Sequence, residues 1–352
     1  MAGTYNFVVD TPRFQYPQIN LSRSTAQRMW IVNICAFAAV IQSSLGDSYS
    51  SLLVALSAIV AALATETLIL RGRGLTIKDG SAVASALILT LLLPNGIFPA
   101  YAAAGAVFAM AVVKHSFGGL GSNWLNPAAG GWLFVRFSWP APFNAALDGS
   151  LLSAITESGS GADLLLASLA STDSAMGQAP SFINNVLLSI TGAELPGGYF
   201  TLFVSRFPGI IADRGVFALL IGTIVLCAFR VSRSWVPAVY LAVFGILIHA
   251  AGALPNGGGF GNGDVFMALF SGGTLVAAFF LAADPVTGAK SNRGMLLAAA
   301  AGGALAFVFR CYGSEPFGAV YAAVFVNAML PLLRIIENRR LYEKGNHEHR
   351  QG

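Results

Sequence analysis

Phe117-Gly-Gly-Leu-Gly-Ser-Asn-Trp-Leu-Asn-Pro-Ala-Ala-Gly130 breaks an otherwise apolar sequence with glycines, two carboxamides and a proline. Far downstream, Phe270-Ser-Gly-Gly-Thr-Leu-Val-Ala-Ala-Phe-Phe-Leu-Ala-Ala-Asp-Pro-Val-Thr-Gly288 repeats the device with a carboxylate. Irregular polar backbone survives at membrane depth only where protein or a cavity covers it. Polar groups placed there mark function by default. Two such interruptions in apolar sequence point to a helical membrane protein with a site at the interruptions.

The rest of the composition agrees. The chain has 352 residues, 55% hydrophobic and 10% charged, with a mean hydropathy of +0.68. A soluble domain carries about 25% charged residues, so the fold class is an all-α polytopic membrane protein. Residues 1–26 are polar and mixed, without a short apolar core ending at a small-residue cleavage site. The first span is therefore expected to act as its own insertion signal. Cys35, Cys227 and Cys311 are isolated and read as small apolar residues.

Ten spans are expected, near 28–45, 50–70, 81–97, 100–114, 127–139, 215–230, 235–252, 264–283, 294–312 and 317–335. With the N-terminus in the cytoplasm, only Arg136, Arg206, Arg214 and Arg310 of the 20 basic residues face outward. That asymmetry obeys the positive-inside rule and places both termini in the cytoplasm. It also argues for lipid contact rather than nucleic-acid binding. The resulting divisions are a cytoplasmic segment 1–26, a five-helix half 27–139, an outward loop 140–214, a second five-helix half 215–336 and a tail 337–352. The loop carries Asp148, Glu157, Asp163, Asp173, Glu194 and Asp213. An odd number of spans per half makes the two halves inverted repeats.

Each polar motif has an ordinary reading beside a functional one. Asp79-Gly-Ser-Ala opens the third span, where an acidic residue caps free amides and small residues allow close packing, or where the segment lies near a cofactor. Lys114 reads as an orientation anchor and His115 as an interfacial polar residue or proton group. His249 reads as a hydrogen-bonded residue of the bundle. Gly118, Gly119 and Gly121 let backbone approach a flat ligand, and Asn123 and Asn126 offer donors and acceptors to a heteroaromatic edge. Asn126 also suits the cap of a helix with Pro127 at its first position. Asp284 ends a span beside Pro285, either paired with Lys290 or Arg293 or facing a bound group. Arg310 and Glu315 read first as an outer-face ion pair and second as a ligand site. The run Gly257-Gly-Gly-Phe-Gly-Asn-Gly263 lacks the strand and Lys-Ser/Thr of a phosphate loop. No catalytic residue and no metal site is indicated.

Together these segments resemble the RnfD membrane component of the Rnf electron transport complex, a relative of the NqrB component of the sodium-pumping NADH:quinone reductase (the NqrB/RnfD family). The resemblance rests on Asp79-Gly-Ser-Ala-Val with Leu91-Leu-Leu-Pro94, on Phe117-Gly-Gly-Leu-Gly-x-Asn-x-x-Asn-Pro-Ala128, and on Ser271-Gly-Gly with Ala283-Asp-Pro-Val-Thr287. Arg310 with Tyr312-Gly313, and Asn327-Ala-Met-Leu-Pro331, complete it. It implies two inverted five-helix halves of urea-transporter-like architecture in a bacterial inner membrane. The chain would be one part of an ion-translocating, flavin-dependent ferredoxin:NAD oxidoreductase, with other membrane and peripheral subunits as partners and no catalysis alone. The family's riboflavin- or FMN-type cofactor, carried over, falls on Gly118, Gly119, Asn123, Asn126, Asp284 and Thr287 at the cytoplasmic side.

The family also esterifies FMN to a threonine of an outward motif, Asp-x-x-Ser-Gly-Ala-Thr. Here the run is Asp173-Ser-Ala-Met-Gly-Gln-Ala179-Pro180, and the acceptor position is Ala179. A methyl group has no oxygen to esterify, and Ser174 and Ser181 are hydroxyls out of register. A non-covalent flavin is therefore expected. The alternatives are a small-solute channel, or a structural subunit, on a scaffold that has lost the covalent flavin.

Overall fold

The computed structural model describes residues 24–45, 49–71, 79–119, 121–123, 125–148, 209–231, 233–252, 254–256, 259–261, 263, 265–284, 288–289, 291–313 and 315–351. In chain order the helices are α1 (Thr25–Leu45), α2 (Ser50–Leu70), α3 (Ser81–Leu92), α4 (Pro99–Phe108), α5 (Pro127–Ser138), α6 (Ala141–Asp148) and α7 (Ile211–Arg214). There follow α8 (Val216–Ala228), α9 (Trp235–Ala251), α10 (Val265–Phe270), α11 (Thr274–Val276), α12 (Asn292–Phe307) and α13 (Gly318–Gln351). Three helices continue into π-helical turns: α4 through Ala109–His115, α11 through Ala277–Ala282 and α12 through Val308–Tyr312. No strand occurs among the described residues.

Thr25–Leu45, Ser50–Leu70 and Asn292–Tyr312 are long and apolar enough to cross a bilayer. Ser81–Leu92, Val216–Ala228, Trp235–Ala251 and Gly318–Leu333 are apolar but shorter. These segments are helical because lipid offers no partner for backbone N–H and C=O, and a helix satisfies them within itself. Hydroxyls in the spans turn back onto the preceding turn in the same way, as Thr65 does to the Ala61 carbonyl (2.7 Å) and Thr90 to Ala86 (2.8 Å).

Small residues then let the helices close on one another. A Cβ on Gly131 of α5 would stand 2.7 Å from the Gly105 carbonyl oxygen of α4, and one on Gly303 of α12 would stand 2.5 Å from the Tyr240 carbonyl oxygen of α9. In the N-terminal set α4 packs on α2 and α5, and α3 packs on α5. In the C-terminal set α12 packs on α9 and α13, and the π-helical continuation of α11 packs on α13. The two sets meet where α1 lies against α8.

Two spans expected to be continuous are broken. The third ends at Leu92 rather than 97, because Leu93 is held extended before Pro94, a residue with no N–H to donate. The freed backbone pairs elsewhere: the Asn95 N–H reaches the Gly209 carbonyl at 3.1 Å and the Ile211 N–H reaches Leu93 at 2.9 Å. The eighth divides into α10 and α11 at Ser271-Gly272-Gly273, where both glycines have positive φ (64° and 70°).

Two charges, Asp213 buried and Arg310 half-buried, hold that second break. Arg310 donates to the Ala268 and Ser271 carbonyls (2.6 and 3.0 Å), to the Thr274 hydroxyl (3.0 Å) and to the Ser271 hydroxyl, so a cation covers the C-terminal end of α10. Asp213 accepts from the Gly273 N–H at 3.0 Å, so an anion covers the N-terminal end of α11. This corrects two expectations. Arg310 is not paired with Glu315, which instead faces Arg136 at 3.8 Å. Asp213, assigned to the outward loop, is only 3% exposed. Both belong to a break whose dipole ends need charge, a demand invisible while the span reads as continuous. Glu157, Asp163, Asp173 and Glu194 lie outside the described residues.

Candidate functional site

Asn126 opens α5, its side-chain oxygen accepting from the Ala128 N–H at 3.0 Å with Pro127 at the first helical position. Capping leaves the carboxamide nitrogen pointing the other way. It donates to the Asp284 carboxylate at 3.0 Å and, at 3.4 Å, to the Phe280 carbonyl. The two interrupted stretches are therefore joined directly, across 158 residues of sequence. Asp284 also closes its own turn, its carbonyl accepting from the Gly288 N–H at 2.9 Å.

The glycine loop is built on the end of α4. Gly118, Gly119 and Gly121 have φ of 110°, 92° and 99°, a region where a side chain would be strained. The Gly119 N–H donates to the Lys114 carbonyl at 3.0 Å. Asn123 is buried, and with its amide oriented to satisfy its surroundings it donates to the Lys114 and Gly119 carbonyls at 3.2 and 2.9 Å. Its donors thus hold the loop closed. A Cβ on Gly121 would meet nothing within 4 Å, so one side of the loop is open.

Beneath this loop lies a polar network that the sequence reading missed. Glu66 of α2 is 2% exposed and binds the ammonium of Lys114, also 2% exposed. Lys114 donates in addition to the Ser81 hydroxyl at 2.6 Å, and that hydroxyl donates to Asp79 at 2.8 Å. His115 Nε2 stands 3.6 Å from the same Glu66 oxygen. Lys114 and His115 are thus neither anchor nor interfacial groups but interior ones. Asp79 does accept from the Ser81 N–H (3.2 Å) at the start of α3, as its capping position suggested. The signal for the network was the single carboxylate in Ser50–Leu70, the only charge in that span.

A cleft of about 240 Å³ opens beside Asp284. Ala282, Ala299, Val326 and Met295 supply apolar wall, and Asp284, Asn327 and Arg233 supply polar groups. Its volume lies just below the ~300–1,000 Å³ of pockets that enclose a whole drug-sized ligand. Such a cleft has room for part of a small ligand, with hydrogen-bonding groups among its lining residues. Asn126 reaches this cleft through Asp284, whereas Gly118, Gly119 and Asn123 form the separate loop on Lys114. Thr287 lies outside the described residues, as do Ala179, Ser174 and Ser181. His249 is exposed on the flank of α9 rather than inside the bundle, where its position suggested.

Comparison with known proteins places this arrangement. A family model described as the NQR2, RnfD, RnfE family matches residues 14–343. A Clostridium ljungdahlii protein, named as the D component of a proton-translocating ferredoxin:NAD(+) oxidoreductase complex, is 31% identical, covering 90% of this chain and 91% of its own. An Acetobacterium woodii protein, named as the D component of the Na(+)-translocating complex, is 29% identical over 93% of each chain. The corresponding component of an ion-translocating oxidoreductase complex from Shewanella denitrificans is 30% identical over 93% of this chain and 96% of its own. The chain belongs to the NQR2, RnfD, RnfE family.

Proposed function

We propose that this family member is the D-type membrane subunit of an Rnf-like, ion-translocating ferredoxin:NAD oxidoreductase complex in a bacterial inner membrane. In this reading it relays electrons through a non-covalent flavin seated at the Asp284 cleft and works only with its partner subunits. The observation that carries it is the Asn126–Asp284 hydrogen bond, which brings the two family motifs together beside a ring-sized cleft. Ten spans in two inverted halves complete the reading, with both termini cytoplasmic. The repeated packing order, α2–α4–α5 and α9–α12–α13, supports that arrangement.

A flavin bound in the cleft supplies a carrier that accepts and passes electrons singly or in pairs. The chain's part is to bind and orient it. Asp284 presents an acceptor that Asn126 holds in place, Asn327 lines the wall, and the alanine and valine side chains exclude water. Removing water strengthens each polar contact to the ring. The relatives' names specify protons in one case and Na⁺ in another, so the coupling ion differs within the family. The break between α10 and α11 is filled by the side chains of Asp213 and Arg310, and this closure counts against the small-solute channel.

The test is flavin content of the purified protein before and after acid precipitation, with intact mass. The expected result is flavin released to the supernatant and an unmodified mass. Flavin retained in the pellet with the mass of one FMN would place a covalent link on a hydroxyl such as Ser174 or Ser181. No flavin in either fraction would leave a structural role and end the relay reading.

A further inference from the structure

His115 ends the π-helical turns that continue α4, and the proposed relay makes no use of it. It is 8% exposed, and its two ring nitrogens face different surroundings. Nε2 stands 3.6 Å from the Glu66 carboxylate. Nδ1 faces the glycine loop, since a Cβ on Gly119 would stand 3.8 Å from it. Gly118, Gly121 and Ser122 of that loop are exposed. The imidazole therefore bridges a buried carboxylate and a loop that reaches the surface. An imidazole so placed can take a proton on one nitrogen while the other faces a carboxylate.

The charges around the ring balance only with such a proton. Glu66 and Asp79 are carboxylates, and Lys114 answers both, binding Glu66 directly and reaching Asp79 through the Ser81 hydroxyl (2.6 and 2.8 Å). The π-helical turns pack on α2, α4 and α5. Glu66 is the only charge of α2, α4 carries none, and its Tyr101 stacks on Trp139. The charge of α5, Arg136, stands by Glu315. A neutral His115 thus leaves the cluster with one negative charge, which is costly in a poorly hydrated interior. A proton on His115 cancels it. Glu66 has room for this second donor, because its Oε2 is buried and accepts no hydrogen bond.

We propose that His115 is an exchangeable proton-binding site, loaded from the glycine loop at Nδ1 and held by Glu66 at Nε2. In the neutral ring the hydrogen is on Nε2, toward Glu66. A proton from solvent water joins Nδ1, giving an imidazolium with N–H on both sides, and it returns to water from the same nitrogen. The charge then lies at the base of the loop that leads to Asn126, because the Gly119 N–H and the Asn123 amide both bond the Lys114 carbonyl. The site does not depend on a flavin in the Asp284 cleft. Its test is nitrogen NMR of the full-length protein in vesicles, labelled at its four histidines and titrated between about pH 5 and 8. His115→Gln removes one of the four titrations and leaves the others, which also reports that the variant is folded. Glu66→Gln weakens proton binding at His115 by about tenfold or more, the size of one lost carboxylate at this range. Glu66→Asp keeps the charge one methylene further off and weakens it less. In sealed, oriented vesicles, His115 responds to pH on the loop side.

A His115 ring that stays neutral at the acid end, or doubly protonated at the alkaline end, would overturn the exchangeable site. Should Glu66→Gln not fold, Glu66→Asp decides alone, and proton binding unchanged in the folded variant would overturn the hold by Glu66. A response only to pH on the opposite face would overturn loading through the loop.

Discussion

Glu66 carries a charge into a span that is otherwise apolar, and Lys114 answers it from the π-helical end of α4. Removing one member of such a pair strands the other in the interior. Lys114→Met is expected to cost about 3–5 kcal/mol, read as a lower thermal transition in detergent. The double variant Glu66→Gln with Lys114→Met, which removes both charges, should regain much of that loss. A double variant no better than the single one would show that the two side chains do not act as a pair. The loop motif was legible because glycines, carboxamides and a proline are rare together in apolar sequence, and Asn126 and Asp284 were singled out on those grounds. Glu66, although passed over, was legible as the lone carboxylate of its span. Its partner was not, because 48 residues separate the two and no helical spacing connects them.

The helix break at Ser271-Gly272-Gly273 shows why continuous hydropathy misleads at the level of an element. Apolar residues run on through it, so the sequence reads as one span, while the backbone turns through two positive-φ glycines. The charges that hold the break come from Asp213 and Arg310, outside the span itself. A Cβ at Gly273 would stand 2.8 Å from the Ile210 Cδ1 and the residue has φ of 70°, whereas Gly121 has φ of 99° and open space. Both Gly273→Ala and Gly121→Ala incur left-handed backbone strain of roughly 1–2 kcal/mol. Only Gly273→Ala must also displace a packed side chain, which adds about 1–3 kcal/mol. The expected outcome is a clearly larger fall in melting temperature for Gly273→Ala, and equal falls would mean the junction is looser than the packing indicates. The positions of α1, α2 and α9 required none of this: long apolar runs placed those helices to within a few residues.

For the molecule as a whole, the N-terminal and C-terminal sets meet not only where α1 lies against α8 but also where the broken third span approaches the α10–α11 break. α3 has 12 residues and so rises about 18 Å, less than the ~30 Å hydrocarbon core. Its end is covered by the 209–211 segment, and its last residue, Leu92, faces the Gly273 position together with Val320 and Ile210. Reconstituted into proteoliposomes, the protein is expected to leave proton and Na⁺ gradients intact. Arg310→Met with Asp213→Asn, if folded, should discharge them faster. A wild-type leak above that of protein-free vesicles would revive the channel reading.

A crossing closed by charged side chains has an electrical consequence. Where water is absent the dielectric constant is low, and the voltage across a membrane falls mainly over its least polarisable layer. If the proposed relay carries electrons across this closed layer, each would traverse most of that voltage in one step. Each such charge exchanges about 2.3 kcal/mol with every 100 mV of membrane potential. The relay would itself be electrogenic, its rate slowed or hastened by the polarity of the membrane, before any coupling ion has moved.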